Sequence, residues 1–293
     1  MTMSQYVYIN GKHYDSLKAS VSVYDAGFLY GDGLFETLRG CKGSLFYLDL
    51  HLERLFGSMR ALRYNPGFNR EDVKKAVSGL IKVNNLEDSK IYIKIIVTRN
   101  RYENRFSFSD GVRPNLIIIA KLLVPYPEDF YKHGVAVYSS SIKRHALGNE
   151  THRHKLLNYF DNIYAKNEAY ANQSQEALFL TRDRIVLEGA SSNIFTVKGD
   201  MLFTTPENMD ILPGITRKAV IDLCKKHGIA CSQRRLHYYN LLEADEVFLT
   251  SSVMGIMPVS KIDTHILDGI KIPGIMTSFI SGLYEEDTLN QHA

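Results

Sequence analysis

Lys155, Glu188 and the turn Leu212-Pro213-Gly214-Ile215-Thr216-Arg217 are the parts of this chain whose residue types could do chemistry together. An amine captures an aldehyde as a Schiff base, and it becomes nucleophilic when dehydration or nearby positive charge lowers its pKa. Glu188 follows the apolar β-formers Ile185-Val186-Leu187 and precedes the small residues Gly189-Ala190-Ser191-Ser192. A carboxylate at the end of a buried strand is costly unless a positive group pairs with it, and a protonated pyridine nitrogen would serve. A solvent-facing Glu at a turn fits the same letters. Proline and glycine ahead of an amphipathic helix gather free backbone N–H groups, the Thr216 hydroxyl and the positive dipole end at one point, which makes an anion site. An ordinary helix start, with Thr216 as its cap, fits as well. Taken together, the three features point to an enzyme that holds an aldehyde cofactor as a Schiff base.

Lys155 stands at the start of a predicted helix, about Leu156 to Ala171, with apolar positions Leu156, Tyr159, Phe160, Ile163 and Tyr164. That placement brings the amine near the positive end of the helix dipole. His152 and His154 flank it, but no Asp, Glu or third His stands at metal-ligand spacing, so no metal is expected. Arg54 lies between Leu52 and Leu55 on another predicted helix. It reads either as a surface residue or as a fork aimed inward at a phosphate.

The elements that must position these groups follow from periodicity. Tyr6 to Ile9 and the turn Asn10-Gly11 signal a hairpin. Leu34–Leu38 and Ser44–Leu48 read as strands, and His51–Leu62 and Arg70–Asn84 as helices, the second capped by Asn69 with Asp72 in its first turn. Lys90–Thr98 alternates Ile91, Ile93, Ile95 and Val97 against Tyr92 and Lys94, and Asn115–Lys121 follows a polar loop. Further strands are expected at Ala177–Thr181, Arg184–Leu187, Asn193–Val197, Met201–Thr204 and Glu246–Thr250, with a helix at Thr216–His227 closed by Gly228. The pattern is α+β in two lobes. A small N-terminal α/β lobe is expected over residues 1–122, an interdomain linker over 123–134, and a large lobe carrying Lys155 over 135–293.

Bulk composition narrows the class. The 293 residues are 45% hydrophobic and 23% charged, ordinary for a folded protein with a real core. The net charge of +3 is dispersed, with no basic block to track a nucleic-acid backbone. Three cysteines without CxxC spacing argue against a disulfide framework or a zinc site. The N-terminus has no signal pattern and no apolar run reaches spanning length, so no membrane association is expected and the cytoplasm is the default.

The chain resembles the fold-type IV, or class IV aminotransferase, pyridoxal phosphate enzymes. The likeness rests on six motifs in the family's order. They are Tyr30-Gly31-Asp32-Gly33-Leu34-Phe35-Glu36, His51-Leu52-Glu53-Arg54-Leu55, His154-Lys155-Leu156-Leu157-Asn158-Tyr159, Leu187 through Phe195, Leu212 through Arg217, and Ala244 through Thr250. It implies a two-lobed fold like that of the D-amino acid aminotransferases, with Lys155 as the residue that bears pyridoxal 5′-phosphate and moves protons. It further implies that Glu188 holds the pyridine nitrogen protonated and that Tyr159 meets the cofactor's phenolic oxygen. Arg54, the amides of Ile215 and Thr216, and the hydroxyls of Thr216 and Ser252 would bind the phosphate. A homodimer is expected by the same resemblance.

The choice among family members is narrower. Branched-chain aminotransferases typically read Phe-Glu-Gly where this chain has Phe35-Glu36-Thr37, and carry Arg where Lys94 falls. Thr37, the segment Tyr92-Ile93-Lys94 and the run Ser251 through Pro258 are similar to aminodeoxychorismate lyases. The arginine–histidine pair of the D-amino acid enzymes has no counterpart on the strand at Tyr92–Ile96. Tyr30, Thr37, Arg39 and Lys94, with Ser252 and Val253, would surround a substrate bearing one or two carboxylates; Arg39 and Lys94 would equally serve as local ion-pair partners. The expected activity is amino transfer between a branched-chain-like L-amino acid or glutamate and a 2-oxo acid. The alternatives are aminodeoxychorismate lyase, which forms 4-aminobenzoate and pyruvate, and D-amino acid aminotransferase.

Overall fold

A computed structural model of the chain describes residues 5–103, 108, 113–145, 147–148, 150–267 and 271–290. They fall into two compact units. The first is made of the described residues up to Val124 plus His154–Asn158, the second of Pro125–Arg153 and Tyr159–Asn290. The first four residues, and most of the polar loop expected before Asn115, lie outside the described residues.

The first unit opens with the hairpin β1 (Tyr6–Ile9) and β2 (Lys12–Asp15). Its turn residues Asn10 and Gly11 both take positive φ, 48° and 92°, which matches the strand twist. Then come α1 (Ala26–Tyr30), β3 (Gly33–Cys41), β4 (Ser44–Leu45), α2 (Leu48–Ala61), α3 (Arg70–Val83), β5 (Lys90–Thr98) and β6 (Asn115–Leu122). The sheet runs β2-β1-β6-β5-β3-β4 and every pairing is antiparallel. Asn69 and Asp72 cap α3 reciprocally, as their spacing predicts. The strand expected over Ser44–Leu48 ends early, because Tyr47 adopts φ 57° and the chain turns into α2.

Alternation on β5 sends Ile91, Ile93, Ile95 and Val97 into the core at 0% exposure. They pack with Leu38, Leu52 and Val77 in one cluster under α2 and α3. Each such buried side chain contributes roughly 1.5–3 kcal/mol. The opposite face of the sheet keeps Thr37, Arg39, Tyr92 and Lys94 half-buried.

The second unit contains α4 (Glu128–His133), β7 (Val135–Lys143), a 3₁₀ turn at Glu150–Arg153, α5 (Phe160–Ala171), β8 (Glu176–Leu180), β9 (Ile185–Gly189), β10 (Asn193–Lys198) and β11 (Met201–Thr204). It continues with α6 (Ile215–Lys226), β12 (Ala230–Gln233), β13 (Leu236–His237), α7 (Tyr238–Leu242), β14 (Glu246–Ser251), β15 (Gly255–Ile262), β16 (His265–Ile266) and α8 (Ile275–Asn290). Among the described residues its strands form one mixed sheet in the order β12-β11-β10-β14-β15-β7-β8-β9-β13, with β16 beside β15.

Residues 154–160 depart from the sequence reading. The helix begins at Phe160 rather than Leu156, so Lys155 does not stand at its dipole. Leu156 instead bridges Leu34, while the Phe35 N–H donates to the Lys155 carbonyl at 2.8 Å and the Leu157 N–H to the Gly33 carbonyl at 2.9 Å. Main-chain pairing with the free edge of β3 has taken the residues assigned to the first helical turn. The segment therefore belongs to the first unit, although the sequence places it in the larger lobe. The face of α5 also differs. Phe160, Ile163 and Tyr164 are at least half exposed, and the small Ala165 and Ala169 are buried.

Candidate active site

In the first unit, Lys155 is held from both sides. The His154 ring nitrogen Nδ1 lies 2.9 Å from Ser58 Oγ on α2, and Leu156 is fixed to β3. Gly33 suits the place where this segment docks, since a Cβ there would lie 2.8 Å from the Val97 carbonyl oxygen and 2.3 Å from Leu157 Cδ1. The Lys155 ammonium sits 4.6 Å from the centre of the Phe35 ring, and Lys94 Nζ lies at the same distance from that ring. Two of the predicted site residues are thus gathered around one aromatic side chain. Thr37 is the direct cross-strand partner of Lys94, and Arg39 that of Tyr92, so Thr37, Arg39 and Lys94 share one face of the sheet. Burial, and then the charge of Lys121, push the Lys94 ammonium pKa down. Tyr30 ends α1 and is 54% exposed.

Arg54 is turned inward rather than to the surface, with its fork engaged by Glu36. Its Nε donates to Glu36 Oε1 at 2.8 Å and its Nη2 to Oε2 at 2.7 Å, while His51 Nδ1 lies 2.7 Å from the same Oε2. Burial pushes the Glu36 carboxyl up, but Arg54 and His51 together pull it down to about 2. Burial lowers the His51 pKa against the opposing pull of Glu36. Glu36 alternates away from Thr37 along β3, so Arg54 stands on the helix side of the sheet and not beside Thr37 and Lys94.

In the second unit, Glu188 is buried near the end of β9, its side chain 8% exposed. Arg144 Nη1 donates to its Oε1 at 3.0 Å. Its Oε2 accepts from the Leu212 N–H at 3.0 Å and from Asn193 Nδ2 at 3.4 Å. Asn193 also donates to the Leu212 carbonyl at 3.0 Å. One residue therefore ties the carboxylate to the turn that starts α6. Gly214 caps that helix without any side-chain cap bond, and Thr216 lies inside the first turn rather than at the cap. The amides of the first turn have no side-chain cap, and the Thr216 hydroxyl lies 3.4 Å from Tyr284 Oη, an arrangement that suits an anion. Arg217 does not point at this end. It is fully buried and binds Glu207, the Thr205 carbonyl and Gln233.

Ser252 and Val253 form the tip between β14 and β15, two and three residues beyond Thr250, the register partner of Asn193. Glu188 and Asn193 are thus hydrogen-bonded to each other, and Thr216 and Ser252 lie in the same unit. The Tyr159 hydroxyl donates to the Ala190 carbonyl at 2.9 Å, and burial followed by the charges of Glu188 and Glu176 pushes its pKa up. Among the described residues no group of three or more His, Cys, Asp or Glu could hold a metal.

The donor set fits pyridoxal phosphate part by part. A buried carboxylate suits a ring nitrogen, an uncapped helix start suits a phosphate, and a lysine lies among aromatic and cationic neighbours. Sequence reasoning missed Arg144, which no nearby motif announces. It also gave no role to Glu36 and His51, although His51 and Arg54 are one helical turn apart, a spacing that places them together.

The space at Gly214 gives a direct test. Its φ of −66° suits any residue, yet a Cβ would fall 1.9 Å from Asn193 Oδ1. Gly214→Ala is expected to cost about 1–3 kcal/mol, as overpacking does. Chemical denaturation measures it, and a loss below about 0.5 kcal/mol would mean that Asn193 swings aside without penalty.

Comparison with known proteins returned consistent relatives. The Amino-transferase class IV family profile matches residues 33–262. A Methanocaldococcus jannaschii protein, named provisionally as a branched-chain-amino-acid aminotransferase, is 35% identical over 91% of this chain and 91% of its own. The aminodeoxychorismate lyase of Bacillus subtilis is 31% identical over 97% of this chain and 95% of its own. The T.th. branched-chain amino acid aminotransferase, solved with pyridoxamine 5′-phosphate, superposes with a TM-score of 0.89 at 25% identity, covering 98% of this chain and 95% of that one.

Proposed function

From the premise that this chain belongs to the class IV aminotransferase family, we propose that it moves an amino group between an amino acid and a 2-oxo acid, with pyridoxal 5′-phosphate as cofactor. The observation that carries the reading is the network in which Asn193 joins the buried Glu188 carboxylate to the uncapped start of α6. It offers an acid for a ring nitrogen and amides for a phosphate within one hydrogen-bonded set.

When bound, the cofactor supplies an electron sink conjugated to the substrate's α-carbon. Glu188, braced by Arg144 and the Leu212 amide, keeps a proton on the ring nitrogen. The amides of Ile215 and Thr216, the hydroxyls of Thr216 and Ser252, and the Arg54 guanidinium hold the phosphate. Lys155, as the free amine, would take the proton from the substrate Cα and deliver it to the cofactor's former aldehyde carbon. Tyr159 would face the phenolic oxygen, which requires its hydroxyl proton to turn from the Ala190 carbonyl. Tyr30, Thr37, Arg39, Lys94, Ser252 and Val253 orient the substrate, with the two cations taking carboxylate. The reading is completed by a homodimer in the cytoplasm, with small-molecule amino and oxo acids as partners and neither nucleic acid nor membrane. Among the described residues no helix is long and apolar enough to cross a membrane.

A second reading, aminodeoxychorismate lyase, is favoured by one observation. Thr37 faces Lys94 across the strands, with Arg39 one pair further along the same face, a donor set suited to a substrate with two acidic groups. The assay is direct. Purified protein is incubated with leucine, glutamate or D-alanine and an oxo acid, and separately with 4-amino-4-deoxychorismate. New amino acid from leucine or glutamate is the expected result. Pyruvate and 4-aminobenzoate without amino transfer would reverse the order of the two readings.

A further inference from the structure

Glu36 is a charge set into a core stripe. Its neighbours on the same face of β3, Leu34 and Leu38, are fully buried in the cluster beneath α2 and α3, and Glu36 itself is 1% exposed. A leucine would suit that position. A buried carboxylate is stable there only because three charge-assisted hydrogen bonds satisfy it, from Arg54 Nε at 2.8 Å, Arg54 Nη2 at 2.7 Å and His51 Nδ1 at 2.7 Å.

We propose that Glu36, supported by His51, is a positioning residue that sets the Arg54 guanidinium in the orientation that receives the cofactor's 5′-phosphate; this rests on the reading of Arg54 as a phosphate ligand given above. The two-point grip takes the Nε and Nη2 edge of the guanidinium, fixing its plane and directing Nη1 away from the carboxylate. A carboxylate only accepts, so His51 donates from Nδ1 and locks Glu36 in turn. With Glu36 ionised, Arg54 protonated and His51 neutral, the cluster carries no net charge. By charge alone, Glu36→Gln would leave the cluster at +1 and strengthen phosphate binding, so a loss of phosphate affinity in that variant reports direction, which matters only to a ligand bearing the phosphate.

That distinction defines the experiment. Full-length protein stripped of cofactor is titrated with pyridoxal 5′-phosphate and, separately, with pyridoxal, following absorbance and tyrosine fluorescence. Wild-type protein is expected to prefer the phosphorylated ligand. Glu36→Gln should weaken pyridoxal 5′-phosphate binding about tenfold, the scale of one misaligned charge-assisted hydrogen bond, and leave pyridoxal within about twofold. Arg54→Ala should reduce the preference at least as much, the remainder coming from the amides and hydroxyls that share the phosphate, and adding Glu36→Gln to it should change little further. Equal weakening of both ligands in Glu36→Gln would reduce Glu36 to a structural role and overturn the proposal alone. A preference left undiminished by Arg54→Ala would overturn both this proposal and the phosphate assignment of Arg54, and a wild-type protein with no preference would take the cofactor reading with them. Should Glu36→Gln fail to fold, Glu36→Asp keeps the charge but draws the carboxylate back by one methylene. The same selective loss is expected of it, and an unchanged ratio would overturn the proposal.

Discussion

Alanine in place of Lys155 is expected to lower amino transfer by about a thousandfold or more and to remove the visible absorption of the cofactor-loaded protein. The size follows from the two tasks assigned to one amine, the covalent hold on the aldehyde and the proton transfer at Cα, each of which carries a large factor. The fold should survive. The contacts that fix the segment are main-chain bonds, Phe35 N–H to the Lys155 carbonyl and Leu157 N–H to the Gly33 carbonyl, and alanine keeps both. Losing the ammonium from above the Phe35 ring removes a cation–π contact of about 0.5–2 kcal/mol, too little to unfold the protein. Stopped-flow rates with leucine or glutamate, beside the visible spectrum and circular dichroism, make the measurement. A variant keeping a tenth of the wild-type rate would remove Lys155 from the chemistry.

Glu188 carries the second large effect, and two substitutions separate its roles. Glu188→Gln keeps the shape and a carbonyl oxygen but cannot hold a proton on a pyridine nitrogen by charge. Turnover should fall about 10²–10³-fold, comparable to removing one preorganised electrostatic contact in an active site. Glu188→Ala adds a folding penalty. The side chains of Arg144 and Glu188 are 6% and 8% exposed, so truncating the acid leaves a buried guanidinium without its counter-charge. Breaking such a pair costs about 3–5 kcal/mol, and replacing Arg144 by Met in the same chain should recover much of it. Thermal and denaturant unfolding of the three variants distinguish the catalytic loss from the structural one. If Glu188→Gln turned over at the wild-type rate, the ring-nitrogen role would be gone whatever the stability data said.

The features legible in the sequence were those set by local rules. The Asn69–Asp72 cap, the Asn10-Gly11 turn and the alternation of β5 depend on residues close in sequence, and each appears as its letters predict. The start of α6 was legible as a helix start, although the cap proved to be Gly214 rather than Thr216. Distance in sequence hid the rest. Arg144 reaches Glu188 across 44 positions, and nothing in the letters around either residue marks the pairing. Gly214 reads as a turn residue, yet it is needed because Asn193 packs against it. The helix expected at Leu156 failed because competition for main-chain bonds was won by the first residues of β3, which lie beyond the reach of β4 and which no helical periodicity reveals. Glu36 stands in the sequence only as one letter of a motif, and its burial among His51 and Arg54 depends on α2 folding over β3.

The five residues around Lys155 owe their covalent position to one half of the polypeptide and their support to the other. Severing the chain between Val124 and Pro125 would therefore yield a C-terminal fragment that carries Lys155 but leaves its scaffold behind on the other piece. Such a fragment should remain silent toward aldehydes until the N-terminal piece is added back in trans.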